Sequence, residues 1–169
     1  MDAFEAILSR RSIRKYTCEP VSEEQVKKLM ECAMAAPSAG NQQPWQFIVV
    51  DDRATLDAIT TIQTHTLMLK EAPMAIIVCG DPSTAKIPTM WAMDCAAATQ
   101  NILLSAYAQG LGTCWCAAYP NENTQAGLRK LLGLPETLAP FSIIAVGHGA
   151  EQKPPANRYS EARVHRNKW

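Results

Sequence analysis

The sequence predicts a single domain, residues 1–169, in which helices pack against a central β-sheet. A chain of 169 residues, 47% of them hydrophobic, has the length and the apolar content of one compact core. Segments with the apolar spacing of helices alternate with short apolar runs of strand length. No internal repeat or linker interrupts this alternation. We therefore expect a mixed structure of four or five strands and about five helices.

The first two predicted helices have clear ends. Residues 2–9 carry apolar side chains at helical spacing, and this helix should end near Arg10. The second begins after Ser22, because Ser-Glu-Glu-Gln at 22–25 has the form of a capping box. Pro37 should end it, since the residue before a proline is disfavoured in the α region.

A strand, a helix and a second strand are predicted next. Residues 45–50 have the pattern of a strand, and residues 54–69 are helical in pattern with a weak or broken middle. Residues 74–79 form a continuous apolar run, which is typical of an interior strand, and residues 81–88 form a loop.

The second half begins with a helix at 91–109 that is apolar on nearly every side, so it should be covered all round, in part by a second copy of the chain. A strand at 113–119, a helix at 123–132 and a strand at 141–146 follow. The polar segment from Gly147 ends in Trp169, and we expect this tail to dock on a partner subunit.

Charge and composition exclude several functional classes. Sixteen basic and sixteen acidic residues cancel, which argues against a nucleic-acid or acidic-membrane partner. The longest apolar stretch, 72–80, falls far short of the ~20 residues of a membrane span, and the start does not have the pattern of a signal peptide. We expect a cytoplasmic protein whose six cysteines are unpaired small hydrophobes, with no metal site at Cys114 and Cys116.

The segment Arg-Arg-Ser-Ile-Arg-Lys-Tyr at 10–16 concentrates four basic side chains in a neutral protein. One interpretation is a solvated helix end, where basic residues suit the macrodipole. The other is a phosphate clamp, because guanidinium groups bind phosphate oxygens bidentately. An extended segment directs Arg10, Ser12 and Arg14 to one side, so the clamp requires the helix to stop near Arg10.

The segment Pro-Ser-Ala-Gly-Asn-Gln-Gln-Pro-Trp at 37–45 has the composition of a turn, with a proline near each end. Its small residues and amide side chains also suit the edge of a planar heterocycle. Gly110 and Gly112 follow a helix and precede a strand, the reverse of a dinucleotide-binding fingerprint.

Taken in order, these segments resemble those of the nitroreductase family of FMN-dependent oxidoreductases. The resemblance rests on 10–16 and 37–45, on Gly-Leu-Gly-Thr-Cys-Trp at 110–115, and on Val-Gly-His-Gly and Asn-Arg-Tyr at 146–149 and 157–159. It covers essentially the whole chain. It implies an α+β fold with a central mixed, mostly antiparallel sheet flanked by helices, and an intertwined homodimer whose C-terminal tail docks on the partner.

The resemblance also implies two FMN sites at the subunit interface. Arg10, Ser12 and Arg14 would meet the phosphate, the ribityl chain and the pyrimidine edge of the flavin, with Arg11 close by and Arg158 returning to the phosphate. The other subunit would contribute residues of the second segment: Pro37, Ser38, Ala39, Asn41 and, as a further candidate, Gln43. The backbone around Ala117 and Ala118 would lie near the reactive nitrogen.

The expected activity is hydride transfer from NADH or NADPH to FMN and then reduction of a nitroaromatic, quinone or related small acceptor by a ping-pong mechanism. The flavin carries the chemistry, so no catalytic acid or base is assigned, and Arg14 is the candidate stabiliser of the reduced flavin. The alternatives are a flavin or enoate reductase of the same family and a non-enzymatic flavin carrier or sensor. The short loop 81–90 lacks the inserted helices that shape the substrate pocket in larger relatives, so the acceptor stays open.

Overall fold

A four-stranded antiparallel sheet lies between two layers of helices in the computed structural model, which describes residues 1–169. The strand order is β1-β2-β4-β3, with the bounds β1 Trp45–Val50, β2 Met74–Gly80, β3 Gly112–Ala117 and β4 Ala139–Gly147. All three strand pairs are antiparallel. The predicted α+β fold is confirmed, and the only parallel pairing is an isolated bridge between Ser12 and Thr113.

Five α-helices accompany the sheet: α1 Ala3–Ser9, α2 Glu23–Met34, α3 Arg53–Ile62, α4 Trp91–Ala108 and α5 Glu122–Leu132. The capping box predicted at Ser22 is present, with Ser22 accepting from the Gln25 amide and Gln25 accepting from the Ser22 amide. The predicted break in the third helix lies at Gln63, where the backbone turns extended before a 3-10 segment, Thr64–Lys70. None of the helices has the length and apolar composition needed to cross a bilayer.

The sheet separates two apolar clusters, because side chains alternate along each strand. On β4, Ile143 and Ala145 face α3 and α5, whereas Ile144 and Val146 face α2 and α4. Strand β2 is buried along its whole length, as predicted for an interior strand. The core therefore consists of two layers, one on each face of the sheet.

Helix α4 is covered mainly by its own chain. Seven of its residues are buried between α2 and the sheet, from Asp94 to Ala106. Met93 is the large apolar side chain of this helix that stays open to solvent, 64% exposed. Most other residues of the helix are half-buried, and cover of this remaining face by a second copy of the chain remains a prediction.

The C-terminal segment has one anchored part and one free part. Residues next to β4 pair with the segment after α1 through a bridge between Tyr16 and Gly149, with Ala150 donating to the Lys15 carbonyl at 2.9 Å. The end is exposed: Trp169 stacks only on His165, with ring centroids 4.2 Å apart, and is fully open to solvent. Docking of this tail on a partner remains a prediction.

Candidate functional site

Five of the predicted site residues line one cavity of about 260 Å³. This cationic cavity is formed by Arg10, Arg11, Ser12, Arg14, Lys153 and Arg158, with no hydrophobic residue in its wall. A neighbouring cleft of about 340 Å³ shares Arg10, Arg11 and Lys153 with it and reaches Tyr107 at the end of α4. The first basic segment and the distant Arg158 are thus brought together around one space.

The position of the basic segment follows from where α1 ends. The helix stops at Ser9 and Arg10 is already extended, which is the condition the clamp requires. The Ile13 amide then donates to the Thr113 carbonyl at 2.9 Å, so the segment runs beside the start of β3. Gly112 permits this approach: a Cβ there would lie 3.0 Å from the Cβ of Ile13. This close packing explains why residue 112 is a glycine, although its segment is not a dinucleotide-binding fingerprint.

The C-terminal segment adds Lys153, which the sequence analysis missed. Lys153 Nζ donates to the Ser12 carbonyl at 2.8 Å and lies 3.2 Å from Glu151. The Glu151 carboxylate also accepts from the Arg14 amide at 2.6 Å. These contacts join residues about 140 positions apart in the chain, so no local pattern could have indicated Lys153.

The cavity carries an excess of positive charge. Five basic side chains line it, and the nearby Glu151 is the one carboxylate among their contacts. Burial, and then the positive charges of Arg158 and Arg11, lower the pKa of Arg10 below its ordinary value. The Nε of Arg11 is buried and has no hydrogen-bond partner. Five basic side chains around one space suit an anion with several acceptor oxygens.

The second predicted segment forms a tight loop before β1. Gly40, Asn41 and Gln43 all have left-handed backbone conformations, with φ of 56°, 52° and 48°. The hydroxyl of Ser38 accepts from the Gln43 amide at 3.0 Å, and the Gln43 side chain donates to that of Asn41 at 2.9 Å. Apart from half-buried Ser38 and Ala39, the predicted residues of this loop, Pro37, Asn41 and Gln43, are exposed.

The third predicted contact lies at the end of β3. Ala118 is completely buried, and its amide donates to the Phe141 carbonyl at 3.0 Å. Ala117, one residue earlier, is exposed, and its carbonyl accepts from the Gln63 side chain at 2.8 Å. The accessible backbone at this point is therefore that of Ala117, and Gln63 is a neighbour that the sequence analysis did not anticipate.

One chain does not bring all these groups into one place. The loop is bound to Asp94 near the start of α4, whereas Arg10 and Arg11 line a cleft with Tyr107 near its end. Tyr107 lies thirteen positions after Asp94 in the helix, a length of about 20 Å along the axis. No residue of 37–43 lines the cationic cavity or the cleft beside it.

Comparison with known proteins assigns the chain to a family. A sequence profile described as the Nitroreductase family matches residues 7–67 and 63–148. A protein of Methanothermobacter thermautotrophicus, named "Putative NADH dehydrogenase/NAD(P)H nitroreductase", is 46% identical over 169 residues, which cover all of this chain and 88% of the relative. The chain belongs to the nitroreductase family.

Solved structures of nitroreductase relatives share the fold. A Bacteroides thetaiotaomicron protein named "Putative NADH dehydrogenase/NAD(P)H nitroreductase" superposes with a TM-score of 0.95 at 40% identity, covering 99% of this chain and 98% of the other. A Desulfovibrio desulfuricans nitroreductase solved in complex with FMN has a TM-score of 0.85 at 29% identity, covering 100% of this chain and 99% of the other. The nitroreductase fold is thus shared over the whole chain.

Proposed function

We propose that this nitroreductase family member is an FMN-dependent oxidoreductase that uses NADH or NADPH to reduce a small acceptor, such as a nitroaromatic or a quinone. The observation that carries the proposal is the cationic cavity, which is lined by five basic side chains and Ser12. The printed names of the relatives support it, since one includes NAD(P)H nitroreductase and another was solved with FMN.

The residues of the cavity fit the phosphate end of FMN. A phosphate dianion offers acceptor oxygens to guanidinium and hydroxyl donors, and Arg10, Arg11, Ser12 and Arg158 supply such donors around one space. Lys153 adds a fifth contact that the sequence analysis lacked. Bound phosphate would offset the repulsion among the basic side chains that line the cavity.

The phosphate contacts fix only one end of the flavin. Charge-assisted hydrogen bonds contribute about 1.5–3 kcal/mol each, so five contacts can supply the roughly 8 kcal/mol that corresponds to micromolar affinity. Orientation of the ring requires further contacts, and we assign this role to Arg14, to the backbone at Ala117 and Ala118, and to the 37–43 loop.

We propose that the loop reaches the flavin of a second subunit in a homodimer. The separation of about 20 Å between its anchor Asp94 and Tyr107 supports this arrangement, because one chain keeps the two groups apart. Helix α1 exposes Phe4, Ile7 and Leu8, and such a patch on a small domain is typical of an interface. The exposed Trp169 supports docking of the tail on the partner.

When bound, FMN supplies the redox chemistry, accepting two electrons from the nicotinamide and passing them to the acceptor. The chain binds and orients the flavin, and Arg14 provides positive charge for the negative charge gained on reduction. Donor and acceptor would use the same open face in turn, which gives ping-pong kinetics. The six unpaired thiols suit a reducing compartment, and we propose the cytoplasm as the location of this activity.

The absorption spectrum of the purified protein tests the proposal. We expect a yellow protein, or a colourless one that takes up added FMN, whose flavin bands bleach when NADH or NADPH is added without oxygen. Addition of a nitroaromatic or a quinone should restore them. Failure to bind FMN would overturn the proposal, and bound flavin that neither nucleotide bleaches would instead indicate a carrier or sensor.

A further inference from the structure

The side chain of Gln42 joins three parts of the molecule. Its Nε2 donates to the Asp94 carboxylate at 2.5 Å and to the Ile87 carbonyl at 3.3 Å. Its Oε1 accepts from the Ile87 amide at 2.8 Å. One amide therefore links the 37–43 loop to the first turn of α4 and to the 81–90 segment.

Asp94 is the centre of this network. The residue is only 4% exposed, and no basic side chain lies within ion-pair distance of it. Its carboxylate accepts from the Ala39 amide at 2.8 Å and from Gln42, and it lies in the first turn of α4, where the helix dipole favours negative charge. A buried carboxylate needs such donors, so Asp94 and the loop depend on each other.

The loop needs this support because of its backbone. Asn41 and Gln43 are not glycines, yet both have positive φ, and such conformations persist only when the surroundings hold them. Gln42 lies between them in an ordinary helical conformation, with φ of −79°, and its side chain supplies the anchor. Without the Gln42 side chain, the loop keeps the bond from the Ala39 amide to Asp94 and hydrogen bonds within the loop itself.

We propose that Gln42 and Asp94 are positioning residues that hold the 37–43 loop in its flavin-binding form and connect it to the 81–90 segment. This inference rests on the proposed function, because it assumes that the loop contacts FMN. Since Ile87 accepts from and donates to the same amide, a change at Gln42 alters the flavin contact and the neighbouring surface together. We therefore assign to Gln42 an effect on the acceptor KM as well as on FMN affinity.

The test uses Gln42→Ala, Gln42→Glu, Asp94→Asn and the double variant Gln42→Glu/Asp94→Asn in the full chain. Gln42→Ala should raise the FMN dissociation constant about tenfold, the effect of losing one charge-assisted hydrogen bond. With FMN saturating, it should raise the acceptor KM more than it lowers kcat. Gln42→Glu should bind FMN more weakly still, because two carboxylates would then face each other.

Rescue in the double variant separates positioning from general damage. In the double variant, the amide nitrogen at position 94 could donate to the carboxylate at position 42, while the amide oxygen at position 94 still accepts from the Ala39 amide. The hydrogen bond between the two side chains is then restored with donor and acceptor exchanged. The bond to the Ile87 carbonyl stays lost in the double variant, so we expect its FMN dissociation constant to fall clearly below that of Gln42→Glu without fully reaching the wild-type value, a coupling that independent sites would not show. If Gln42→Glu does not fold, Gln42→Ala carries the comparison, because it introduces no charge.

Two controls complete the design. Ser22→Ala removes the helix cap of α2 and should lower stability without changing FMN affinity, and Gln46→Ala removes an exposed amide of β1. The inference would be overturned if Gln42→Ala kept the FMN affinity and acceptor KM of the wild type, or if the double variant showed no rescue. The proposed function would still stand in that case, provided that the wild-type protein binds FMN. Absence of FMN binding by the wild type would overturn both.

Discussion

Arg10 is the residue at which the electrostatics of the cavity can be tested most simply. Its pKa is lowered by burial and by the charges of Arg158 and Arg11, so without an anion this guanidinium is poorly accommodated. Arg10→Ala should therefore weaken FMN binding at least tenfold, as expected for one charge-assisted hydrogen bond, without lowering the stability of the flavin-free protein. Titration of flavin fluorescence and urea unfolding measure the two effects.

The control for Arg10 is Lys27→Ala, which removes an exposed positive charge from α2. It should leave the FMN dissociation constant unchanged. Equal weakening in both variants would mean that net charge, not the cavity, governs binding.

Arg14 should affect the redox state more than the other basic residues. Its side chain lines the cavity and its amide is held by Glu151, so it can stabilise the negative charge gained on reduction. Arg14→Ala should lower the reduction potential of bound FMN by on the order of 30 mV for each tenfold loss of preference for the reduced form. Potentiometric titration measures this shift, and unchanged flavin content and potential would remove Arg14 from the site.

The cysteines allow a test of burial. Burial raises the pKa of Cys79 and Cys95 to about 12, so both thiols stay protonated at pH 8. Cys18 is exposed, Cys32 is half-buried and the other four cysteines are buried, so a thiol reagent should label Cys18 rapidly, Cys32 more slowly and the buried four only on unfolding. Because unfolded thiols ionise near their ordinary value of 9.0, stability should fall as the pH rises from about 9 towards 12. Labelling of three or more thiols in the folded protein would contradict this.

At the scale of elements, the cavity depends on how closely the segment after α1 approaches β3. Gly112→Ala would place a Cβ 3.0 Å from Ile13, between the site residues Ser12 and Arg14. Displacement of this segment should lower stability by about 1–3 kcal/mol, as overpacking does, and should weaken FMN binding as well. Urea unfolding and flavin titration together measure the outcome.

Gly133→Ala is the matched control for Gly112→Ala. Gly133 ends α5 with a φ of 63° and nothing lies within 4 Å of an added Cβ, so alanine there causes backbone strain without a contact to the basic segment. It should lower stability and keep the FMN dissociation constant unchanged. If both variants weaken FMN binding equally, the contact between Ile13 and Gly112 does not position the clamp.

The sequence predicted the elements well where the signal was local. The capping box at Ser22 and the interior strand β2 appear as expected. Strand β4 begins at Ala139, two residues before the predicted start, and includes Pro140, a residue type that is unusual inside a sheet. Pro140 is accommodated where the register shifts between Val78 and Cys79, a tertiary feature with no local signal.

The site was predictable only in part, and for the same reason. Clusters of adjacent residues, such as 10–16 and 37–45, are visible in sequence. Lys153 reaches Ser12 across the fold, and Asp94 and Gln63 act through hydrogen bonds to the loop and to Ala117. Such contacts arise from the packing of distant segments, so one sequence does not indicate them.

At the scale of the whole molecule, the two predicted halves of the site lie towards opposite ends of α4, with anchors about 20 Å apart. A single chain would offer a phosphate clamp without the loop. Two chains related by symmetry would complete two equivalent sites, since each would give its clamp to one site and its loop to the other. Flavin affinity should then depend on protein concentration.

Subunit mixing tests this split site most directly. One chain carries Arg10→Ala and the other Asn41→Ala, each with its own tag, and both are produced together. Every site of the two parent dimers is damaged, whereas each mixed dimer has one site with an intact clamp and an intact loop. Purified mixed dimers should bind about one FMN per dimer with wild-type affinity, as two-fold symmetry requires. Mixed dimers that bind FMN no better than their parents would contradict a site shared between subunits.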